Sequence, residues 1–316
     1  MLTSVLLILA GLVLLFFGGE FLVRGASSLA IRLGLSPLVA GLTVVAFGTS
    51  TPELFASLHA AMEGQGDIAV GNVIGSNIFN VAGILGVTAL IFPLKAGAQV
   101  LRFDIPVMIG VSLVPLWILH DGHISRIEGG ILFALIVAYT VAVVRKAKTS
   151  PESPEVLAEY QEGVGKPARS ILLDVVLIAS GLGLLIGGSH FLIDGSVSIA
   201  RAFGVSEAII GLTIVAAGTS TPELASSLVA AFRKQPDIAL GNIVGSNIFN
   251  ILAILGITGL ASPIYSAGVG MRDIAVMILL GVALLPMVRS GGKLDRVEGG
   301  CLLAGYGVYL FFLWPR

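Results

Sequence analysis

Apolar residues run along this chain in long blocks, broken by short clusters of charge, glycine and proline rather than alternating with polar ones. Blocks without period-2 alternation exclude a β-barrel, and each is long enough for a helix crossing the hydrocarbon, which takes about 20 residues. The breaks predict ten spans, at 4–31, 38–62, 68–92, 103–120, 126–145, 171–200, 208–232, 238–262, 272–289 and 296–314. The expected fold class is therefore all-α and integral to the membrane. The first block lacks a basic leader and has an internal counterpart at 171–187, so it reads as a retained helix rather than a signal peptide.

The polar positions inside these blocks recur. GLTVVAFGTSTPEL at 41–54 returns as GLTIVAAGTSTPEL at 211–224, and DIAVGNVIGSNIFN at 67–80 returns as DIALGNIVGSNIFN at 237–250. Apolar residues interchange between the copies while Gly, Ser, Thr, Asn, Pro and Glu hold, which is the pattern of a site. The halves 1–145 and 171–316, joined by a polar linker at 146–170, each hold five spans. An odd number puts the second copy the other way up, so an inverted repeat is expected. Lys and Arg placement agrees: thirteen fall in the odd-numbered connections and four on the opposite side. Cytoplasmic loops are enriched in these residues, which places both termini outside the cytoplasm; the expected location is a cell inner membrane.

Composition adds little beyond confirming the class. Hydrophobic residues make up 56% and charged ones 12%, against about 25% charged in soluble domains, and mean hydropathy is +1.00. The net charge of −1 suggests no nucleic-acid partner. Cys301 is the single cysteine, which excludes an internal disulfide and a cysteine-based metal site.

The chemistry lies at the repeated blocks. Pro52 and Pro222 each remove an N–H from a helix, leaving carbonyls near Ala46 to Thr49, and near their mates, short of a partner. A break of this kind in lipid is tolerated where it lines a cavity or binds something, and matching breaks in two halves point to a transporter's midplane site. Glu53 and Glu223 follow the breaks and should converge. A buried carboxylate costs on the order of 3 kcal/mol, so the pair must share a cation or take up protons. Two carboxylates with carbonyls and hydroxyls form a hard oxygen set that suits Ca²⁺. Ser76 and Asn80, with mates Ser246 and Asn250, lie four apart on one helix face and add neutral oxygens. Gly71 and Gly75 form a small-xxx-small pair for close helix approach.

Taken together, GTSTPE and GNxxGSNxFN, each doubled, resemble the sodium/calcium exchanger branch of the cation/calcium antiporter superfamily, over essentially the whole chain. The resemblance implies electrogenic exchange of Ca²⁺ for Na⁺ by alternating access. It implies calcium ligands at Glu53, Glu223 and the Thr49 and Thr219 carbonyls. It implies sodium sites built from Ser50, Ser220, Ser76, Ser246, the Ala46 and Ala216 carbonyls and the same two glutamates, with Asn80 and Asn250 at the centre. Many members carry aspartate at the position of Asn250; asparagine here implies K⁺-independent exchange with two central carboxylates. Spans 1 and 6 would slide across the site, each carrying a glycine pair, Gly18-Gly19 and Gly187-Gly188. The transported ions and the bilayer are the expected partners and no cofactor is expected; oligomeric state is open, with a monomer the simplest arrangement. A Ca²⁺/H⁺ antiporter is the nearest alternative and a cation channel a more distant one. The absence of HExxH and GxSxG argues against an enzyme.

Other charges have plainer expected roles. Glu20 and Arg24 read as an i,i+4 pair; Asp67 and Asp237 as helix caps; Asp104, Asp273, Glu128 and Glu298 as acids near helix N-termini; Trp117 and Trp314 as interfacial anchors. His120, Asp121 and His123 read as a solvated loop.

Overall fold

The computed structural model describes residues 1–149, 170–203, 216–266 and 268–313. Most of the 146–170 linker and Trp314 lie outside the described residues, as does the start of the span expected at 208–232. The helices are α1 (Leu2–Arg32), α2 (Leu38–Thr49), α3 (Thr51–Met62), α4 (Gly66–Ile91), α5 (Val100–Ile118), α6 (Arg126–Thr149) and α7 (Ile171–Ala202). They continue with α8 (Ala216–Thr219), α9 (Thr221–Phe232), α10 (Pro236–Ala261), α11 (Met271–Gly291) and α12 (Arg296–Leu313). Seven of these are long and apolar enough on their own to cross a membrane, and α2 with α3 makes an eighth, bent by 43°. The protein is an all-helical integral membrane protein.

Burial sorts the helices into two shells. The most apolar stretch of α10 is 89% buried and that of α4 72%, whereas those of α1 and α7 are 28% and 22% buried. The outer pair turns Leu9, Leu12, Phe16, Leu172 and Val175 outward, as lipid-facing helices do.

Helices α1 and α7 pack antiparallel along a seam of glycines. A Cβ on Gly11 would stand 2.8 Å from the Gly188 carbonyl oxygen, one on Gly18 2.8 Å from Leu185 N, and one on Gly195 2.6 Å from the Ser4 carbonyl oxygen. Gly11, Gly18 and Gly25 face Gly188, Gly181 and the Asp174 turn, so glycine recurs every seven residues on both sides. The backbones therefore touch directly, without interlocking side chains. Arg32 Nε meets Asp174 Oδ2 at 3.0 Å at one end of the seam, and the Ser4 and Ser198 hydroxyls lie 3.0 Å apart at the other. Glu20 does not pair with Arg24: its carboxylate is bonded to Arg233, after α9, because Gly19 lets α1 settle against Ala225 and Val229.

Two short antiparallel strand pairs tie the connections together. Leu94–Lys95 (β1) pairs with Lys293–Leu294 (β4), and His123–Ile124 (β2) with Ile264–Tyr265 (β3). The helices beginning beside β2 and β4 open with capping boxes. Glu128 accepts from Ser125 N at 2.8 Å and Oγ at 2.7 Å, and Glu298 accepts from Asp295 N at 2.9 Å while its own N–H donates back to Asp295 at 3.0 Å.

Several expectations for the acids change. Asp67 does not cap α4, whose N-cap is Gln65; it accepts from Ser266 Oγ and Gly268 N, both at 2.8 Å, and so holds the turn after β3. Asp104 is not in an N-terminal turn but at the end of a wide π-helical turn, Val100–Asp104, fully buried. Asp273 does open α11 and accepts from Tyr309 Oη at 2.9 Å. Trp117 is 69% exposed, fitting an interfacial anchor.

Candidate functional site

The site grows from the two breaks. Proline has no N–H for the carbonyl four residues back, so Pro52 and Pro222 remove the usual helical partners of the Gly48 and Gly218 carbonyls, and Gly48 accepts a backbone N–H at the helix end instead. The chain turns at Ser50 (φ −81°, ψ 6°) and Ser220 (φ −88°, ψ 11°), and a fresh helix starts with proline in its first turn and glutamate just behind. The Ala46 carbonyl is not left open as expected: it accepts from Ser50 N at 3.1 Å. Thr51 and Thr221 hydroxyls satisfy the Phe47 and Ala217 carbonyls at 3.0 and 3.2 Å. Gly218's released carbonyl accepts from Ser189 Oγ of α7 at 2.6 Å.

The breaks cross-link to each other. Ser50 Oγ donates to Glu223 Oε1 and Ser220 Oγ donates to Glu53 Oε1, both at 2.9 Å. Each half thus orients the other half's carboxylate. Glu53, Glu223, Ser50, Ser220 and Thr49 are all fully buried. Ser220 Oγ also lies 3.2 Å from Ser76 Oγ, bringing the second block to the first. Asn72 Nδ2 holds the Glu53 carbonyl at 3.1 Å and its mate Asn242 holds that of Glu223 at 3.4 Å. Thr49 Oγ1 donates to Asn242 Oδ1 at 3.2 Å. Neither Asn72 nor Asn242 was singled out from sequence, although both occupy the same place in the repeated block, which was the available signal.

The arrangement leaves oxygens over. Glu53 Oε2, Glu223 Oε2, Asn80 Oδ1, Asn250 Oδ1 and Ser246 Oγ are buried and have no hydrogen-bond partner. A buried acceptor without a partner costs about 1–3 kcal/mol, more when charged, so several on two facing carboxylates and their neighbours make a set that suits a cation with its water removed. The structure therefore brings together Glu53, Glu223, Ser50, Ser220 and Ser76, with Thr49 and Thr219 ending the helices before the breaks. Ala46 and Ala216 sit a turn further back, at the start of the last turn before each break. A cleft of about 810 Å³ runs from Glu63 and Gln65 past His59 and His190 to Pro52 and Thr219.

The close approach expected of the second block is visible in its second copy. Cβ atoms on Gly241 and Gly245 would stand 3.0 and 2.7 Å from the Leu38 and Leu42 carbonyl oxygens of α2. Around Gly71 and Gly75 themselves, no described residue comes within 4 Å of an added Cβ. His120 and His123 bond locally, to the Trp117 carbonyl and, through the His123 N–H, to Asp121. Among the described residues no cluster of three His, Cys, Asp or Glu side chains forms.

Broken helices from two like-sequenced halves, meeting at buried oxygens, define a membrane transporter of cations. The family model described as "Sodium/calcium exchanger protein" matches residues 3–145 and 173–314, and the chain belongs to that family. It is 42% identical to a putative antiporter, CaxA of Alkalimonas amylolytica, covering 99% of both chains. It is 31% identical to the sodium/calcium exchanger MaX1 of Methanosarcina acetivorans, covering 98% of both. Among solved structures, the sodium-calcium exchanger NCX_Mj superposes with a TM-score of 0.84 at 31% identity, covering 99% of both chains. A more distant relative, 26% identical over 93% of this chain and 88% of its own length, is the Ca²⁺/H⁺ antiporter ChaA of Bacillus subtilis.

Proposed function

We propose that this protein exchanges Ca²⁺ for Na⁺ across the membrane by alternating access, electrogenically and without K⁺. The observation that carries the reading is the reciprocal Ser50–Glu223 and Ser220–Glu53 bonding, which turns one free oxygen of each carboxylate into a shared buried site. Two carboxylates match one divalent ion in charge. The surrounding hydroxyls and carbonyls add the neutral oxygens that sodium sites need and proton sites do not. Calcium would take Glu53, Glu223 and the Thr49 and Thr219 carbonyls; sodium would use Ser50, Ser220, Ser76, Ser246 and the Ala46 and Ala216 carbonyls. Asn250 supplies no third carboxylate, which supports independence from K⁺.

We read the chain as ten spans in two inverted halves, 1–145 and 171–316, with a cytoplasmic linker between. The separate family matches to 3–145 and 173–314 support this division. So does the antiparallel packing of α1 against α7, which occupy corresponding places in the halves. The strands also pair the third connection with the ninth and the fourth with the eighth, keeping odd with odd and even with even. With termini outside the cytoplasm, in a cell inner membrane, the cleft ending at Thr219 opens outward. Sliding of α1 and α7 across the site would move that opening to the other side.

The test is ⁴⁵Ca²⁺ uptake into proteoliposomes preloaded with Na⁺. Uptake that needs the outward Na⁺ gradient and persists without K⁺ supports the reading. The relation to ChaA favours one second reading, coupling to H⁺; uptake driven by a pH gradient and indifferent to Na⁺ would establish that instead. Flux that never runs uphill would mean a channel.

A further inference from the structure

Where α4 and α10 cross, four asparagines bond in an open row, Asn250 to Asn77 to Asn247 to Asn80, with a reciprocal pair at its middle. Asn77 Nδ2 donates to the Asn247 carbonyl at 3.1 Å, and Asn247 Nδ2 points back at the Asn77 carbonyl at 3.5 Å. Asn77 and Asn247 are 1% and 2% exposed. A backbone carbonyl only accepts, so the NH₂ end of each amide is fixed on that carbonyl and its oxygen is left to accept from a second group. Those two oxygens are taken: Asn250 Nδ2 donates to Asn77 Oδ1 at 2.9 Å, and Asn80 Nδ2 donates to Asn247 Oδ1 at 3.0 Å. An amide whose nitrogen is committed has only one direction left for its oxygen. The Asn80 and Asn250 oxygens are the buried acceptors without a partner noted above, in company with the free glutamate oxygens.

We infer that Asn77 and Asn247 are positioning residues: each fixes, across the interface between the halves, which end of the Asn250 or Asn80 amide faces the ion site, holding the oxygen toward the cation. Without Asn77 the Asn250 amide can turn over and present NH₂, a donor, to a positive ion. The second N–H of each positioning amide lies against a methionine sulfur, Met277 Sδ at 3.7 Å and Met108 Sδ at 3.6 Å, so the row of amides is anchored to α11 and α5. Wide π-helical turns begin at Phe79 and Asn250, just past the crossing. They shift the helical register between the positioning and the ligand residue, a common adjustment at functional sites.

The inference rests on the exchanger reading, and a double-mutant cycle separates the two. Equilibrium ⁴⁵Ca²⁺ binding, and its displacement by Na⁺, are measured on the purified full chain for wild type, Asn77→Ala, Asn250→Ala and the double variant. Losing a supporting partner of a ligand costs typically 10–100-fold in metal affinity. Asn77→Ala should therefore weaken Ca²⁺ binding or Na⁺ competition about 10-fold, and should add nothing once Asn250 is already alanine. Factors that multiply in the double variant, or an Asn77→Ala protein that binds both ions like wild type, would overturn the positioning role. Wild type that binds neither ion would overturn the exchanger reading itself. If Asn77→Ala does not fold, Asn247→Ala with Asn80→Ala runs the same cycle from the other half.

Discussion

The two breaks, Gly48 to Glu53 and Gly218 to Glu223, share one sequence but not one environment. What they share is the chemistry: each serine holds the other half's carboxylate at 2.9 Å, and each threonine covers the carbonyl four residues behind it. What differs is the support. The Gly218 carbonyl is covered by Ser189, whereas the matching position in α1 is Gly19. Phe47 stacks edge-on against Phe249 with centroids 5.0 Å apart, whereas its mate is Ala217. Ser220 reaches Ser76, whereas Ser246 Oγ has no partner. The two copies keep the groups that bond across the breaks and differ in what surrounds them, which is what the proposed exchange would need if ions read both halves at once.

The sharpest way to break this comparison is to remove one carboxylate at a time. Glu53→Gln and Glu223→Gln should each lower Ca²⁺ flux beyond the 10–100-fold typical of supporting groups, and to the same extent. A variant retaining a large fraction of flux in proteoliposomes would mean the halves are not equivalent. Next comes the seam. Gly18→Leu or Gly181→Leu places a side chain where Leu185 N or Leu22 N would stand 2.8 or 2.5 Å from its Cβ. Overpacking of this kind costs about 1–3 kcal/mol. Transport should fall severely, while ⁴⁵Ca²⁺ binding in detergent persists because the site lies on other helices. Ser189→Ala strips the cover from the Gly218 carbonyl and should cost about 1–3 kcal/mol, read as a lower Tm in detergent. Gly19→Ser should not stabilise the first break in return, since a Cβ there already meets Val229 Cγ2 at 3.0 Å. The smallest effect is expected from Arg233→Ala, which removes a partly exposed ion pair with Glu20 worth about 0–1 kcal/mol; its Tm should barely move.

What could be read from sequence follows the same division. Proline and glycine act locally, so the breaks, their glutamates and the helix limits were legible: 68–92 against Gly66–Ile91 and 238–262 against Pro236–Ala261. Doubling made the polar positions stand out from a core. Partners set by packing were not legible. Glu20 has Arg24 one turn away along its own helix yet bonds Arg233, because Gly19 brings α9 in closer. Asp67 resembles a cap but holds a turn from the other half. Asn77 and Asn247 lie in the same motif as the candidate ligands, and only the helix crossing shows that they bond across it.

The central claim is that the two halves build one site between them, not one each. Counting Ca²⁺ bound at saturation per chain, for wild type and for each glutamine variant, tests it directly. The account predicts one ion per wild-type chain and none at the same Ca²⁺ concentration in either Glu53→Gln or Glu223→Gln. Two ions per wild-type chain, with one retained in each variant, would contradict it.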